Sequence, residues 1–384
     1  MYDFDTLPER RQINSFKWNI GAQELPLWVA DMDFATPLEI TEAIAARAQQ
    51  GVFGYACTTD AWADAYRRWW QERHNCELRP ERLIFCQGGV PGIACMVRHL
   101  TQPGDKILLQ TPVYNAFFDC VNANGRQVIE NPLRNCDEDY SIDFEDLERK
   151  LAHPATTMMI LCNPHNPVGR IWSVEDLRRI GEMCKRHGVI IISDELHGDI
   201  TKPGCAYTPF ENASDYAQRI TCLSPTKAFN IAGLHTSAIY VPDSILFERV
   251  NRAVHTDEIG LPNAFAVQGA IAAFTLGAPW LDEMRKVVWD NKCLVNEYVH
   301  QHIPELRTIA SEATYLMWLD GRSLKVPAGA TLGGEIRRLS GLFLSDGAIY
   351  GELGRGYLRL NAACPRSVIE EAMERLRRAV ELLR

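Results

Sequence analysis

A single lysine, Lys227, sits in "SPTKAFNIAGLHTSA" (residues 224–238), a run of small, hydroxylic and apolar residues unlike a charged surface. A lysine in apolar surroundings is a nucleophile, because desolvation favours its neutral amine, which condenses with a carbonyl to a Schiff base. Other chemistry-bearing residues stand in comparable positions. Asp194 opens "DELH", and Asn166 lies in "NPHNPVG" between two prolines, whose fixed backbone and missing N–H suit a loop that presents one amide. Tyr114 in "TPVYN" offers an aromatic face, and Ser224 and Thr226 add hydroxyls beside the lysine. "GGV" (88–90), ahead of a helical pattern, offers backbone N–H groups and a helix N-terminus to an anion such as phosphate. Together they describe a site for a flat, phosphorylated, aldehyde-bearing pyridine. The lysine takes the aldehyde, and a carboxylate keeps the ring nitrogen protonated so that the ring accepts a carbanion's electrons. An aromatic side chain stacks on the ring.

Each of these motifs follows a short apolar run. "RLIFC" (82–86), "DKILLQ" (105–110), "TTMMILC" (156–162), "VIIIS" (189–193), "RITCL" (219–223) and "SAIYV" (237–241) alternate with helical patterns. Strands without polar alternation, separated by helices, predict a sheet buried on both faces, hence a mainly parallel α/β domain. In such sheets ligands sit beyond the carboxyl ends of the strands, where "QGGVPG", "QTPVYN", "NPHNPVG", "DELH" and "SPTK" all fall. The helix "WSVEDLRRIGEMCKRHG" has both ends marked: Ser173 with Asp176 as a capping-box variant, and Gly188 as the terminating glycine. After a long amphipathic helix beginning at "GAPWL", the strands "ATYLMWLD", "LFLSDGAIYG" and "GYLRLNAACP" and a closing helix predict a smaller α+β domain. The expected division is a large domain over residues 41–280, with residues 1–40 joining 281–384 in the small one. "GELGRG" (351–356) precedes a strand and reads as a turn, not a dinucleotide fingerprint.

Composition narrows the classes. The 384 residues carry a net charge of −9, which argues against nucleic-acid or anionic-membrane binding without a local basic patch. No stretch approaches the roughly 20 apolar residues of a membrane span, and residues 1–12 do not form a signal peptide. The twelve cysteines are scattered, with no C-x-x-C, and read as buried thiols of a reducing compartment, so a cytoplasmic location is expected. The ten histidines show no metal-ligand spacing, no metal is expected, and His74, His99 and His187 read as helix-end or surface residues.

The ordered set, from the Gly-rich turn through Tyr114, Asn166-Pro-x-Gly, Asp194 and Ser224-x-x-Lys227 to Arg359, resembles fold-type I pyridoxal-phosphate enzymes of the aspartate aminotransferase superfamily. Within it, "VADMDFATP", "GVFGY", "NPHNPVGR", "SDELHGD", "SPTKAFNIAGL", "GAPWL" and "RGYLRLNAACPR" resemble the MalY/PatB-type cystathionine β-lyase branch, the C–S lyases. The resemblance implies a seven-stranded sheet and pyridoxal 5′-phosphate (PLP) linked to Lys227, which then moves the substrate Cα proton. It implies that Asp194 pairs with the ring nitrogen, Asn166 bonds the ring hydroxyl and Tyr114 stacks. Gly89, Val90, Ser224 and Thr226 would surround the phosphate, and Arg359 would clamp the substrate carboxylate in a bidentate pair. Tyr55 would reach the neighbouring subunit's site, implying a homodimer, with Asp31 and Asn361 also beside the substrate. His197 stands where typical aminotransferases place a tyrosine, which matches the C–S lyases, and no arginine follows Lys227 toward the phosphate. The implied reaction is α,β-elimination of a sulfur amino acid to a thiol, pyruvate and ammonia. An aminotransferase is the alternative, and a regulatory protein that binds a transcription activator is the alternative of another class.

Overall fold

The apolar runs become one seven-stranded sheet: β1 (Leu83–Cys86), β2 (Lys106–Leu109), β3 (Gln127–Glu130), β4 (Thr156–Cys162), β5 (Ile190–Asp194), β6 (Arg219–Leu223) and β7 (Ser237–Tyr240). The structure is a computed structural model that describes residues 2–136 and 139–384. The strand order is β1-β7-β6-β5-β4-β2-β3. All neighbours are parallel except β7, which runs antiparallel to both β1 and β6.

Two apolar faces explain the lack of polar alternation. Ile107, Ile160, Ile192, Ile220 and Ile239 belong to one core with helices α3 (Gly89–Leu100) and α5 (Ser244–Thr256), numbered in chain order with α1 (Leu38–Gln49), α2 (Asp60–His74) and α4 (Val174–His187). Leu108, Met159, Leu161 and Ile191 belong to another, with Leu177, Ile180 and Cys184 of α4. Successive strand residues point to opposite faces, so a sheet covered twice needs apolar residues at every position. The α4 boundaries follow the sequence signals. Ser173 Oγ accepts from Asp176 N at 3.0 Å, the Asp176 carboxylate accepts from Ser173 N at 3.2 Å, and Gly188 closes the helix at φ 67°.

α2 packs Trp62, Tyr66, Trp69 and Trp70 against Phe274 of α6 (Ala266–Leu276) and Trp280 of α7 (Ala278–His302). His74 ends α2 but is not a surface residue: its side chain is buried, with Nε2 2.8 Å from Asp199.

α7 leads to an antiparallel sheet of β8 (Arg307–Thr308), β9 (Leu316–Asp320), β10 (Ser345–Asp346) and β11 (Tyr357–Asn361), in the order β8-β9-β11-β10. Val295 and Val299 of α7, Ile336 of α8 (Leu332–Ser340) and Ile369, Met373 and Leu376 of α9 (Arg366–Leu383) close its core. The stretch read as one strand over "LFLSDGAIYG" is split. Leu342–Phe343 pairs in parallel with Leu25–Pro26, and the Asp346 carboxylate then accepts from Ala348 N at 2.9 Å, turning the chain into a 3₁₀ turn. Asn361 N donates to Leu27 O at 3.0 Å, which adds a second tie between the N-terminal segment and this sheet. "GELGRG" forms a turn, as its sequence suggests.

Candidate active site

Lys227, Asp194 and the Asn166 loop meet past the carboxyl ends of β6, β5 and β4. The Lys227 amine donates to Ala30 O at 2.8 Å. Burial holds it below the ordinary lysine range; Asp31 and Asp194 oppose that shift and Arg359 adds to it. A neutral amine is the nucleophilic and basic form. Asp194 accepts from Leu196 N at 3.2 Å. Burial pushes its carboxyl up to about 6, against the pull of that N–H and of Lys227. Among the described residues no basic side chain forms an ion pair with it.

Arg359 is buried on β11. Its Nη1 donates to Asn166 Oδ1 at 3.3 Å and its Nη2 to Trp28 O at 2.9 Å, and its guanidinium lies 4.9 Å from the Tyr350 ring centre. Its Nε has no hydrogen-bond partner, and among the described residues no carboxylate is paired with it. A buried guanidinium left without a counter-ion is poised for an anion.

His197 is buried, with its ring edge-on to Tyr315 at 5.7 Å and its Nδ1 unpartnered. Burial, with Lys227, Arg359 and Lys292 nearby, holds it well below the ordinary histidine value, so the imidazole is neutral. Tyr114 feels the charges of both Arg359 and Asp194, and burial raises its hydroxyl.

The hydroxyl corner is ordered: Ser224 and Thr226 hydroxyls lie 2.7 Å apart, and Ser224 Oγ donates to Thr236 O at 2.8 Å. Gly88 leaves the α3 N-terminus without a side-chain cap, so the first-turn N–H groups at Gly89 and Val90 are open to a ligand. A Cβ on Gly89 would stand 2.8 Å from Leu196 Cδ2, so only glycine lets this helix end approach the turn after β5 so closely.

These features fit PLP from the structure alone. Asp194 is a desolvated acceptor without a cation, Lys227 a depressed amine, and the α3 N-terminus with two hydroxyls an anion cradle.

The other expected residues have partners of their own. Asp31 pairs with Arg10 at 2.7 Å and with Lys17 at 3.7 Å. Asn361 Nδ2 donates to Val29 O at 2.7 Å and to Asp31 O at 2.5 Å, so its amide is committed to holding the 29–31 segment. Tyr55 is 100% exposed between α1 and α2, and among the described residues nothing joins it to this crevice. The sequence reading missed the backbone acceptors Trp28 O and Ala30 O, which carry no side-chain signal. It also missed Tyr315, whose hydroxyl donates to Ala30 O at 2.9 Å, and Tyr350, which lie inside stretches read only as strands. Beneath them, fully buried Lys17 pairs with Asp33 at 2.8 Å.

Residues 23–376 match the family Aminotransferase class I and II. This chain belongs to that family. Among family relatives, Cystathionine beta-lyase PatB of Bacillus subtilis is 40% identical, over 98% of this chain and 100% of that protein. Protein MalY of Escherichia coli is 31% identical, over 100% of both. Of solved structures, cystalysin from Treponema denticola, which contains a pyridoxal 5′-phosphate cofactor, superposes with a TM-score of 0.96 at 32% identity, over 100% of both chains. The family match therefore spans both sheets, with β11 and Arg359 inside it.

Proposed function

We propose that the protein is a PLP-dependent C–S β-lyase. It cleaves cystathionine or a related cysteine S-conjugate to a thiol, pyruvate and ammonia. The observation that carries the reading is a pair of charges with no ion-pair partner among the described residues, half-buried Asp194 and buried Arg359, both acting on the depressed Lys227 amine. One would receive a ring N–H and the other a substrate carboxylate. The likeness to PatB and cystalysin favours sulfur elimination over transamination, and so does His197, which brings a neutral imidazole where typical aminotransferases place a tyrosine.

The cofactor, when bound, supplies the electrophilic aldehyde and the electron sink. Lys227 would hold it covalently, Asp194 at the ring nitrogen, Asn166 at the ring hydroxyl, Tyr114 at the ring face. Gly89, Val90, Ser224 and Thr226 would hold its phosphate, and His197 would line the pocket. The chain's own residues do the rest. Arg359 orients the amino acid by its carboxylate, with Asn166 and Tyr350 fixing the guanidinium plane. Lys227 Nζ, freed and neutral, takes the Cα proton, the thiolate leaves Cβ, and water completes the release of pyruvate and ammonia. Asp31 and Asn361 set the 29–31 backbone whose Ala30 carbonyl holds the amine.

We further propose a homodimer, in which the exposed Val52, Phe53 and Tyr55 lie against a second copy and Tyr55 enters its crevice. Among the described residues eleven cysteines are free and no helix is long and apolar enough to cross a membrane; the thiols favour a reducing, cytoplasmic setting.

The test is cystathionine given to the purified holoenzyme with no 2-oxo acid present. Thiol, pyruvate and ammonia should appear in equal amounts. A strict need for an acceptor acid would replace this reading with a transaminase.

A further inference from the structure

We propose that the distal end of α3 and the end of α5 form a transition-metal site suited to Zn²⁺, ligated by Cys95, His99 and Asp257. Cys95 and His99 are four residues apart in α3, which puts them on one face, and Asp257 is the residue that ends α5. One ligand atom from each of the three lies within 4.8 Å of the other two. His99 Nε2 is 2.8 Å from Asp257 Oδ1, and Cys95 is buried beside them.

Zinc bonds of about 2.0 Å to nitrogen and oxygen and about 2.3 Å to sulfur place tetrahedral ligands roughly 3.3–3.7 Å apart. The His99–Asp257 pair therefore needs to open by only a fraction of an ångström, and His99 is free to do so because it reaches the surface. The carboxylate is already oriented. Its Oδ2 is held by the Arg98 guanidinium, whose other nitrogen donates to Asn124 Oδ1 at 2.8 Å. That leaves Oδ1 for the ion, the outer-shell arrangement by which metal sites fix a monodentate carboxylate.

The donor set decides the ion. Sulfur and imidazole with one carboxylate suit zinc and exclude calcium and magnesium, which take oxygen. Three protein ligands leave a fourth position for water. A thiol gives up its proton to solvent when its sulfur bonds zinc, so each ion bound releases one proton.

The site is independent of the crevice chemistry. It lies at the opposite end of α3 from Gly89 and ties that helix to α5. The two helices already share the core of Ile93, Val97, Val250 and Val254.

Holoenzyme stripped with a chelator is titrated with Zn²⁺ by calorimetry, in buffers of differing ionisation heat, and with Co²⁺ by visible absorption. The expected result is one ion per chain with a proton released and tetrahedral cobalt bands at longer wavelength than the cofactor absorbs. Zn²⁺ should also raise the Tm. Cys95→Ser and His99→Asn should each weaken binding by more than the roughly 10–100-fold cost of losing an outer-shell partner, while keeping the cofactor spectrum and lyase activity. The other cysteines and the cofactor are common to all three proteins, so the difference isolates this site. Equal metal uptake by wild type and both variants, or none by wild type, overturns the proposal. Should one variant misfold, the other decides alone.

Discussion

Two lysines, Lys227 and Lys292, have lowered amines and, among the described residues, no carboxylate bonded to them. Lys227 opens into the crevice. Lys292 of α7 borders a separate cavity of about 530 Å³, lined among others by Trp289, Cys293 and Glu312. Burial lowers both amines, Lys292 to about 7. Yet Lys292 is satisfied: it donates to Ser311 Oγ at 2.9 Å and to Ala313 O at 3.2 Å, with the Trp289 ring 5.4 Å away. Lys227 has one carbonyl, and Asp31, Asp194 and Arg359 all act on it. A depressed amine is therefore not sufficient for catalysis. What distinguishes the crevice is that two of its charges, Asp194 and Arg359, have no ion-pair partner among the described residues, and that pattern points to a ligand.

The widest separation between the two is expected from their removal. Lys227→Ala should lower kcat/KM for cystathionine by at least about a thousandfold, since it removes both the covalent anchor and the base. Lys292→Met should leave turnover near wild type. A thiol-release assay on both proteins measures this, and equal losses would erase the contrast. Next comes Arg359→Lys. Losing the bidentate fork while keeping the charge should raise KM roughly 10- to 100-fold, the worth of about 1.5–3 kcal/mol in charge-assisted hydrogen bonds. A fall confined to kcat would move Arg359 away from the substrate.

How legible each region was in the sequence follows from the same difference. β4 and β6 were readable to the residue because both of their faces are buried. β3 was not, because it lies at the sheet edge, with Gln127 exposed and the rest half-buried, and its short mixed run carries no pattern. Lys227, Asp194 and Asn166 were legible because each follows a readable strand and carries its chemistry in its side chain. Ala30 O and Trp28 O were not, since any residue supplies a carbonyl. Asp31 and Asn361 were named from the resemblance alone, and their contacts with Arg10 and with the 29–31 backbone depend on long-range packing. The Cys95–His99–Asp257 group was invisible for that reason: its carboxylate arrives from 158 residues beyond His99.

The third test follows stability across pH. In the unfolded chain Lys292 loses its proton near the ordinary lysine value of roughly 10.4; in the fold it loses it near 7. Between those values the unfolded state binds the extra proton, so folding stability rises with pH by up to about 1.4 kcal/mol per unit. Below that window both states are protonated and the cost of burying the ammonium is constant. Lys292→Met removes that cost. Ser311 Oγ still donates to Ala313 O at 3.0 Å, which keeps that carbonyl paired. The variant should be more stable than wild type near neutral pH, and the gap should close toward alkaline pH. Urea midpoints between about pH 6 and 9 read the gap; one that does not change with pH would mean the amine stays protonated.

The smallest effect tests the Ala30 carbonyl. Tyr315 OH and Lys227 Nζ both donate to Ala30 O, so the hydroxyl competes for the carbonyl that restrains the amine. Tyr315→Phe removes the competitor without opening a cavity. Stability should fall by about 1 kcal/mol, the net worth of one hydrogen bond. Lys227 then has the whole carbonyl, which favours its protonated form, so the acidic limb of the kcat profile, along which the base loses its proton, should move to higher pH. Lys292 donates to Ser311 and Ala313 and not to Ala30, so it should not respond, leaving the alkaline rise in stability unchanged. A stability loss with an unmoved pH profile would show that Tyr315 supports only the backbone, and that the Ala30 carbonyl does not tune the amine.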